Sequence, residues 1–203
     1  MEKPVWLFFD LGSTLIDETE AYAARVRETV SGTDVSAAQF AAAMQHFFSQ
    51  GSDGYKEAVC LLHLQKAPWR SELEHLYADC HAVLDRLKCR GYRLGVIANQ
   101  QPGTVQRLAH WELLPFFDVI AASAELGMAK PDPAIFRWAL RQADCEPYRA
   151  VMIGDRIDND VLPAKTFGMR TVRLLSGPFA AFCPHPDPSD HTVRNLSALT
   201  DHF

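Results

Sequence analysis

Asp10 follows the apolar pair Phe8-Phe9, Asn99 follows Val96-Ile97-Ala98, and Asp155 follows Val151-Met152-Ile153-Gly154. Alone, each reads as an ordinary strand-end or turn residue. Asp160 lies five residues beyond Asp155. Taken together, Asp10, Asp155 and Asp160 offer hard carboxylate oxygens, the donor type that suits Mg²⁺. Three such groups in one pocket would repel one another, so a cation is expected among them. Lys130 stands in Gly127-Met128-Ala129-Lys130-Pro131-Asp132-Pro133. A lysine there can orient the carboxylates and neutralise a phosphoryl group. Loop lysines are ordinarily solvated charges, but the Pro-Asp-Pro that follows pins this one's backbone.

Positioning these residues requires strands that end at one common edge. Short apolar runs recur at Val5–Phe9, Tyr92–Ile97, Phe117–Ala121, Ala150–Ile153 and Arg170–Leu174. Their length and lack of alternation mark buried parallel strands. Helical patterns separate them. Leu73, Leu76, Tyr77, Cys80, Val83, Leu84 and Leu87 fall on one stripe closed by Arg90-Gly91. Asp132 and Pro133 open a second helix as N-cap and first residue, with Ile135, Phe136, Ala139 and Leu140 as its apolar face. A third runs from about Asn159 to Phe167 and stops at Gly168. This alternation predicts a Rossmann-like α/β fold, a doubly wound parallel sheet whose ligands bind at the carboxyl edge. Asp10, Asn99 and Asp155 would all project there.

Residues 17–75 break the alternation and read as helices only, including a Ser36-x-x-Gln39 capping box and a Gly51–Gly54 turn. We expect a core of residues 1–16 plus 76–203 and a small helical cap of residues 17–75 over the site. At helical spacing, Phe47, Phe48, Tyr55 and Trp69 read as cap core before they read as a substrate pocket. The segment from Gly177 to Asp190 carries four prolines and predicts a mobile loop. Val193 to Leu199 predicts a closing strand or helical turn.

Twenty basic against 25 acidic residues give a net charge of -5, which argues against non-specific nucleic-acid binding. No run of 18 apolar residues occurs, so no membrane helix is expected. The N-terminus is too short in apolar character for a signal peptide. Five cysteines without C-x-x-C spacing indicate reduced thiols and a cytoplasmic setting. A monomer or homodimer is equally compatible with the sequence.

In order along the chain, four segments resemble the motifs of the haloacid dehalogenase superfamily. They are Phe8-Phe9-Asp10-Leu11-Gly12-Ser13-Thr14-Leu15-Ile16-Asp17, Gly95-Val96-Ile97-Ala98-Asn99, Lys130-Pro131-Asp132-Pro133-Ala134-Ile135-Phe136 and Gly154-Asp155-Arg156-Ile157-Asp158-Asn159-Asp160-Val161. The 17–75 insert is similar to the superfamily's type I cap. The resemblance implies Asp10 as a nucleophile that forms an aspartyl-phosphate, then hydrolysed by water. It implies Mg²⁺ held by Asp10, the Gly12 carbonyl, Asp155 and Asp160, with Lys130 stabilising a phosphoryl group from a small phosphorylated metabolite.

The chain departs from the phosphatase pattern twice. Gly12 replaces an aspartate that serves as general acid/base, a function commonly worth about 10²–10⁴-fold. Ala98 replaces a hydroxyl to the phosphoryl oxygens, a bond worth about 1.5–3 kcal/mol. Ser13 and Asn99 are candidate substrate-binding substitutes. Asp17 and Glu18 are candidate acids from the cap hinge, Asp17 being better read as a helix cap. Three alternatives stay open: a catalytically silent binding protein, a dehalogenase, and a phosphonate hydrolase using Lys56 or Lys66 as a Schiff base. The Asp155/Asp160 pair counts against dehalogenation. Activity lost in Asp10→Asn and raised in Gly12→Asp would mark a phosphatase working without its usual acid.

Overall fold

The computed structural model describes residues 5–203. The first four residues, on which the signal-peptide expectation partly rests, lie outside them. Eight strands and eight α-helices follow in chain order. They are β1 (Trp6–Phe9), β2 (Ile16–Asp17), α1 (Thr19–Val30), α2 (Ala37–Phe48), α3 (Gly54–Leu61), β3 (His75–Leu76), α4 (Cys80–Cys89), β4 (Arg93–Ala98), α5 (Thr104–His110), β5 (Phe117–Ala122), α6 (Ser123–Leu126), α7 (Pro133–Gln142), β6 (Ala150–Gly154), α8 (Leu162–Thr166), β7 (Arg170–Leu174) and β8 (His191–Val193).

Six strands form one sheet in the order β5-β4-β1-β6-β7-β8, and every pairing is parallel. The chain winds outward from β1 through β4 to β5, then returns to β6 and winds the other way. β1 is therefore the switch point of the sheet, where the loops leaving neighbouring strands part and open a crevice. Both faces of β1 are covered. Leu7 and Phe9 pack with Val83, Leu84 and Leu87 of α4. Trp6 and Phe8 pack with Ile135, Phe136 and Leu140 of α7. Burial on both faces is why the strand reads as an unbroken apolar run.

Residues 19–61 form three helices with their own apolar cluster around Phe40, Met44, Phe48, Tyr55 and Val59. The Ser36/Gln39 capping box is present at the start of α2. Phe48 and Tyr55 are buried in this cluster, while Phe47 is half-exposed. The helical block joins the sheet through the antiparallel pair β2–β3, in which Ile16 lies against Leu76.

That pair corrects the expected 73–87 helical stripe. Leu73 sits in a short 3₁₀ turn and Leu76 in β3, and α4 begins only at Cys80. Leu76 is apolar because it packs on the core beside β2, not because it continues a helix. The third expected helix also divides. Ile157–Val161 is a single π-helical turn, and α8 follows from Leu162 with Pro163 in its first turn. Such π turns recur at functional sites. The closing segment contains both expected alternatives, the strand β8 and a 3₁₀ turn at Ser197–Asp201.

The proline-rich segment is anchored rather than loose. The Arg173 side chain is fully buried in β7. Its guanidinium donates to the carbonyls of Phe179 at 2.8 Å and Phe182 at 2.6 Å, and to the Asp187 carboxylate at 2.9 Å. The same group donates to the Asp155 carbonyl at 3.1 Å. Phe179, so held, inserts its ring into the apolar cluster of the helical block, 4.7 Å from Phe48 in an edge-to-face arrangement. Such a pair adds about 0.5–1.5 kcal/mol beyond its area burial.

Candidate active site

Asp10 leaves the end of β1, Asn99 the end of β4 and Asp155 the end of β6, so the topology places all three at the crevice. Lys130 arrives from the loop between α6 and α7. Its Nζ donates to Asp10 Oδ1 at 2.7 Å and to Asp160 Oδ1 at 2.5 Å. Both ends of each contact are buried, Lys130 at 5% exposure. Carboxylate oxygens of Asp10, Asp155 and Asp160 all lie within 4.8 Å of one another.

Local structure fixes each member. Asp160 sits in the π turn, where its Oδ2 accepts from the Arg156 backbone N–H at 3.0 Å. Gly154 leaves room for it, because a β-carbon there would lie 2.8 Å from Asp160 Cβ and strike its carboxylate. Asn99 holds Lys130 by its backbone. Its Nδ2 donates to the Lys130 carbonyl at 2.8 Å and its Oδ1 accepts from the Lys130 N–H at 2.7 Å. The amide expected to face a substrate is thus engaged in positioning the lysine, although Asn99 also lines the cavity. Ala98 is fully buried in β4.

The electrostatics follow from three buried acids gathered around the Lys130 ammonium. Burial pushes the Asp155 carboxyl well above the usual carboxylate range, and Asp160 and Asp10 push it further. Burial also raises Asp160, against the opposing pull of Lys130. Burial alone would lower the Lys130 ammonium, but the Asp10 and Asp160 charges outweigh it and raise its pKa. One lysine leaves this acidic group short of positive charge, and the donor chemistry matches a hard divalent cation.

A cavity of about 210 Å³ opens above these groups and is lined also by Gly12, Ser13, Glu18, Tyr22, Arg156 and Phe179. The helical block thus contributes Tyr22, and the Arg173-anchored segment contributes Phe179. The Arg156 guanidinium lies 4.3 Å over the Phe179 ring and pairs with Asp158 at 2.6 Å. Ser13 is buried in a left-handed conformation (φ 54°) and donates its hydroxyl to Glu18 Oε2 at 2.8 Å. Burial pushes the Glu18 carboxyl up to about 7 against that hydrogen bond, with repulsion from Asp10 and Glu74 adding to the rise. Asp17 accepts from the Thr19 N–H at 2.9 Å, the local turn that starts α1. Lys56 and Lys66 are exposed and lie outside the cavity lining.

Tyr22, Arg156, Phe179 and Arg173 are additions to the sequence-based set. Arg173 carries one readable signal: an arginine flanked by Val172 and Leu174 inside a strand must be exposed or paired. Arg156 directly follows Asp155 and is within reach of the sequence, whereas Tyr22 and Phe179 sit on elements whose approach to the crevice depends on tertiary packing.

Replacing Lys130 by Met keeps most of the side-chain length but removes the ammonium between Asp10 and Asp160. Loss of one preorganised charge at a reacting centre is worth about 10²–10³ in turnover. We expect Lys130→Met to lower kcat by that amount while circular dichroism shows a folded chain. An unchanged kcat would mean the lysine acts only in structure.

The model of the haloacid dehalogenase-like hydrolase family matches residues 7–174. The chain is 36% identical over 131 residues to the glyceraldehyde 3-phosphate phosphatase of Methanocaldococcus jannaschii, covering 62% of this chain and 55% of that protein. The chain therefore spans about half the length of the archaeal relatives it matches. It is 28% identical over 174 residues to the pyrophosphatase PpaX of Bacillus velezensis, covering 81% of this chain and 80% of that one. A HAD phosphatase from Thermococcus onnurineus superposes with a TM-score of 0.68 at 24% identity, covering 99% of this chain and 97% of that one, a likeness of fold. With its four motifs converging on one crevice and the family model spanning nearly the whole chain, this protein belongs to the haloacid dehalogenase-like hydrolases.

Proposed function

We propose that this protein is a Mg²⁺-dependent phosphatase of a small phosphorylated metabolite, with Asp10 as nucleophile and the 17–75 helical block as a cap over the site. The observation that carries the reading is the Lys130 bridge between Asp10 and Asp160, with Asp155 alongside, at the floor of the cavity. The names of the relatives, phosphatases of small phosphorylated compounds and a pyrophosphatase, support the same class.

The clustered carboxylates of Asp10, Asp155 and Asp160 fit a Mg²⁺ ion, and the Gly12 carbonyl would be a further ligand; the ion when bound would supply positive charge to the phosphoryl oxygens. Asp10 attacks phosphorus in line, the bond to the leaving oxygen breaks, and a phosphoryl group rests on the Asp10 carboxylate. Lys130 holds Asp10 in position and neutralises charge on the transferring group. Asn99 fixes the lysine through two backbone hydrogen bonds. Water then attacks phosphorus and returns Asp10 to its free state. Phe179 and Tyr22 wall the cavity on its cap side.

The test is hydrolysis of a phosphometabolite panel, measured by phosphate release with Mg²⁺ and with EDTA. We expect turnover of at least one small monoester that falls to background in EDTA and returns with excess Mg²⁺. Metal-independent turnover, or none on the whole panel, would contradict the reading.

A further inference from the structure

We infer that Glu18 supplies the proton-transferring carboxyl group that the chain lacks at position 12. This role rests on the phosphatase reading above and completes it. A β-carbon built on Gly12 would lie 2.6 Å from Glu18 Oε1, 2.9 Å from its Cδ and 3.0 Å from its Oε2. The Glu18 carboxylate thus fills the volume that a side chain at position 12 would enter. The absence of a side chain at Gly12 and the inward course of Glu18 are two halves of one arrangement. Ser13 Oγ holds Oε2 at 2.8 Å, so the group has a defined position with Oε1 toward Gly12.

Glu18 also faces the space in which a substrate would sit. It lines the cavity over Asp10 and Lys130, and it also lines an adjoining cavity of about 200 Å³ bounded by Arg25, Trp69 and Arg107. The inner cavity holds the groups that receive a phosphoryl group. The outer one has the polar and aromatic walls that would receive the remainder of the substrate. Glu18 is one of four residues, with Tyr22, Asn99 and Gln100, that line both cavities, and of these four it alone carries a carboxyl group that could give a proton to an ester oxygen held there.

The chemistry balances in two steps. As the Asp10–phosphorus bond forms and the ester P–O bond breaks, the Glu18 carboxyl gives its proton to the departing oxygen and an alcohol leaves. As water attacks the phosphorylated Asp10, the Glu18 carboxylate takes a proton from that water. The bond from Asp10 to phosphorus breaks, inorganic phosphate departs and Glu18 is again protonated. Glu18 enters from the start of the helical block, just after β2, so the proton carrier is delivered by the cap neck rather than by the core loop.

The experiment compares Glu18→Gln with the wild type on an alkyl phosphate that the wild type turns over and on p-nitrophenyl phosphate. An alkoxide is a poor leaving group and needs the proton, whereas p-nitrophenolate does not. We expect kcat on the alkyl ester to fall about 10²–10⁴-fold, and on the nitrophenyl ester by much less. In the Glu18→Ala background, Gly12→Asp should restore alkyl-ester turnover, because the vacated volume then accepts the new carboxylate. Gly12→Asp alone should not raise activity, since its side chain must displace Glu18. Equal losses on both esters, or no loss on the alkyl ester, would overturn the role of Glu18 while leaving the phosphatase reading intact. A wild type inert toward p-nitrophenyl phosphate and toward every alkyl phosphate tried would overturn both.

Discussion

Asp10→Asn should abolish turnover, lowering kcat by about 10⁴–10⁶-fold without unfolding the protein. Losing the nucleophile of a covalent mechanism removes the reaction path itself, and such losses reach the order of 10⁶ in well-studied hydrolases. The amide is nearly isosteric with the carboxylate, so the volume at the end of β1 is preserved. Lys130 keeps its second partner, Asp160, at 2.5 Å. The backbone N–H of Asp10 remains bonded to the Ile153 carbonyl at 2.8 Å, which ties the residue to β6 whatever its side chain. Steady-state phosphate release together with thermal melting checks both halves of the expectation. Turnover within tenfold of the wild type would remove Asp10 as the nucleophile.

The largest stability effect should come from Arg173→Met. Four hydrogen bonds run from this buried guanidinium to Asp155, Phe179, Phe182 and Asp187. Breaking a buried charge pair by removing one partner costs about 3–5 kcal/mol, mostly because the remaining polar groups are stranded. Asp187 lies partly at the surface, with a side-chain exposure of 22%, and can regain water. The two carbonyls and the Asp155 carbonyl are less able to do so, which places the expected loss near 3 kcal/mol. Met fills much of the aliphatic volume, so cavity formation is a minor contribution. Urea unfolding should show the midpoint falling at little changed slope. In the folded fraction KM should rise more than kcat falls, because Phe179 is released from the cavity wall while Asp10 and Lys130 stay in place. A stability loss under about 1 kcal/mol would mean the proline-rich segment holds itself.

Much of this was legible in the sequence because the chemistry sits where parallel strands end. Asp10, Asn99 and Asp155 could be assigned to one edge from apolar run lengths alone, and the structure puts them there. Lys130 was distinguished by its Pro-Asp-Pro context and lies between Asp10 and Asp160. What eluded the sequence depends on contacts distant along the chain. Four prolines between Gly177 and Asp190 suggested mobility, yet Arg173 supplies the partners that order the segment. Leu73 and Leu76 matched a helical period by coincidence, because a two-residue strand and a 3₁₀ turn also need apolar residues at the neck. Asn99 has the residue type of a ligand contact, and only its distances to the Lys130 backbone reveal a positioning role. Glu18 and Asp17 are both hinge acids in the sequence; only the fold shows Glu18 filling the space above Gly12 while Asp17 caps the turn into α1.

The most direct test of the account is the intact mass of the protein quenched in acid during turnover of a phosphoester in Mg²⁺. A phosphorylated species should appear in the wild type, be discharged by hydroxylamine, and map to the peptide containing Asp10. It should be absent in Asp10→Asn and absent when EDTA is added before substrate. Turnover with no phosphorylated protein at any quench time, or a phosphoryl group on any residue other than Asp10, would contradict the proposed mechanism.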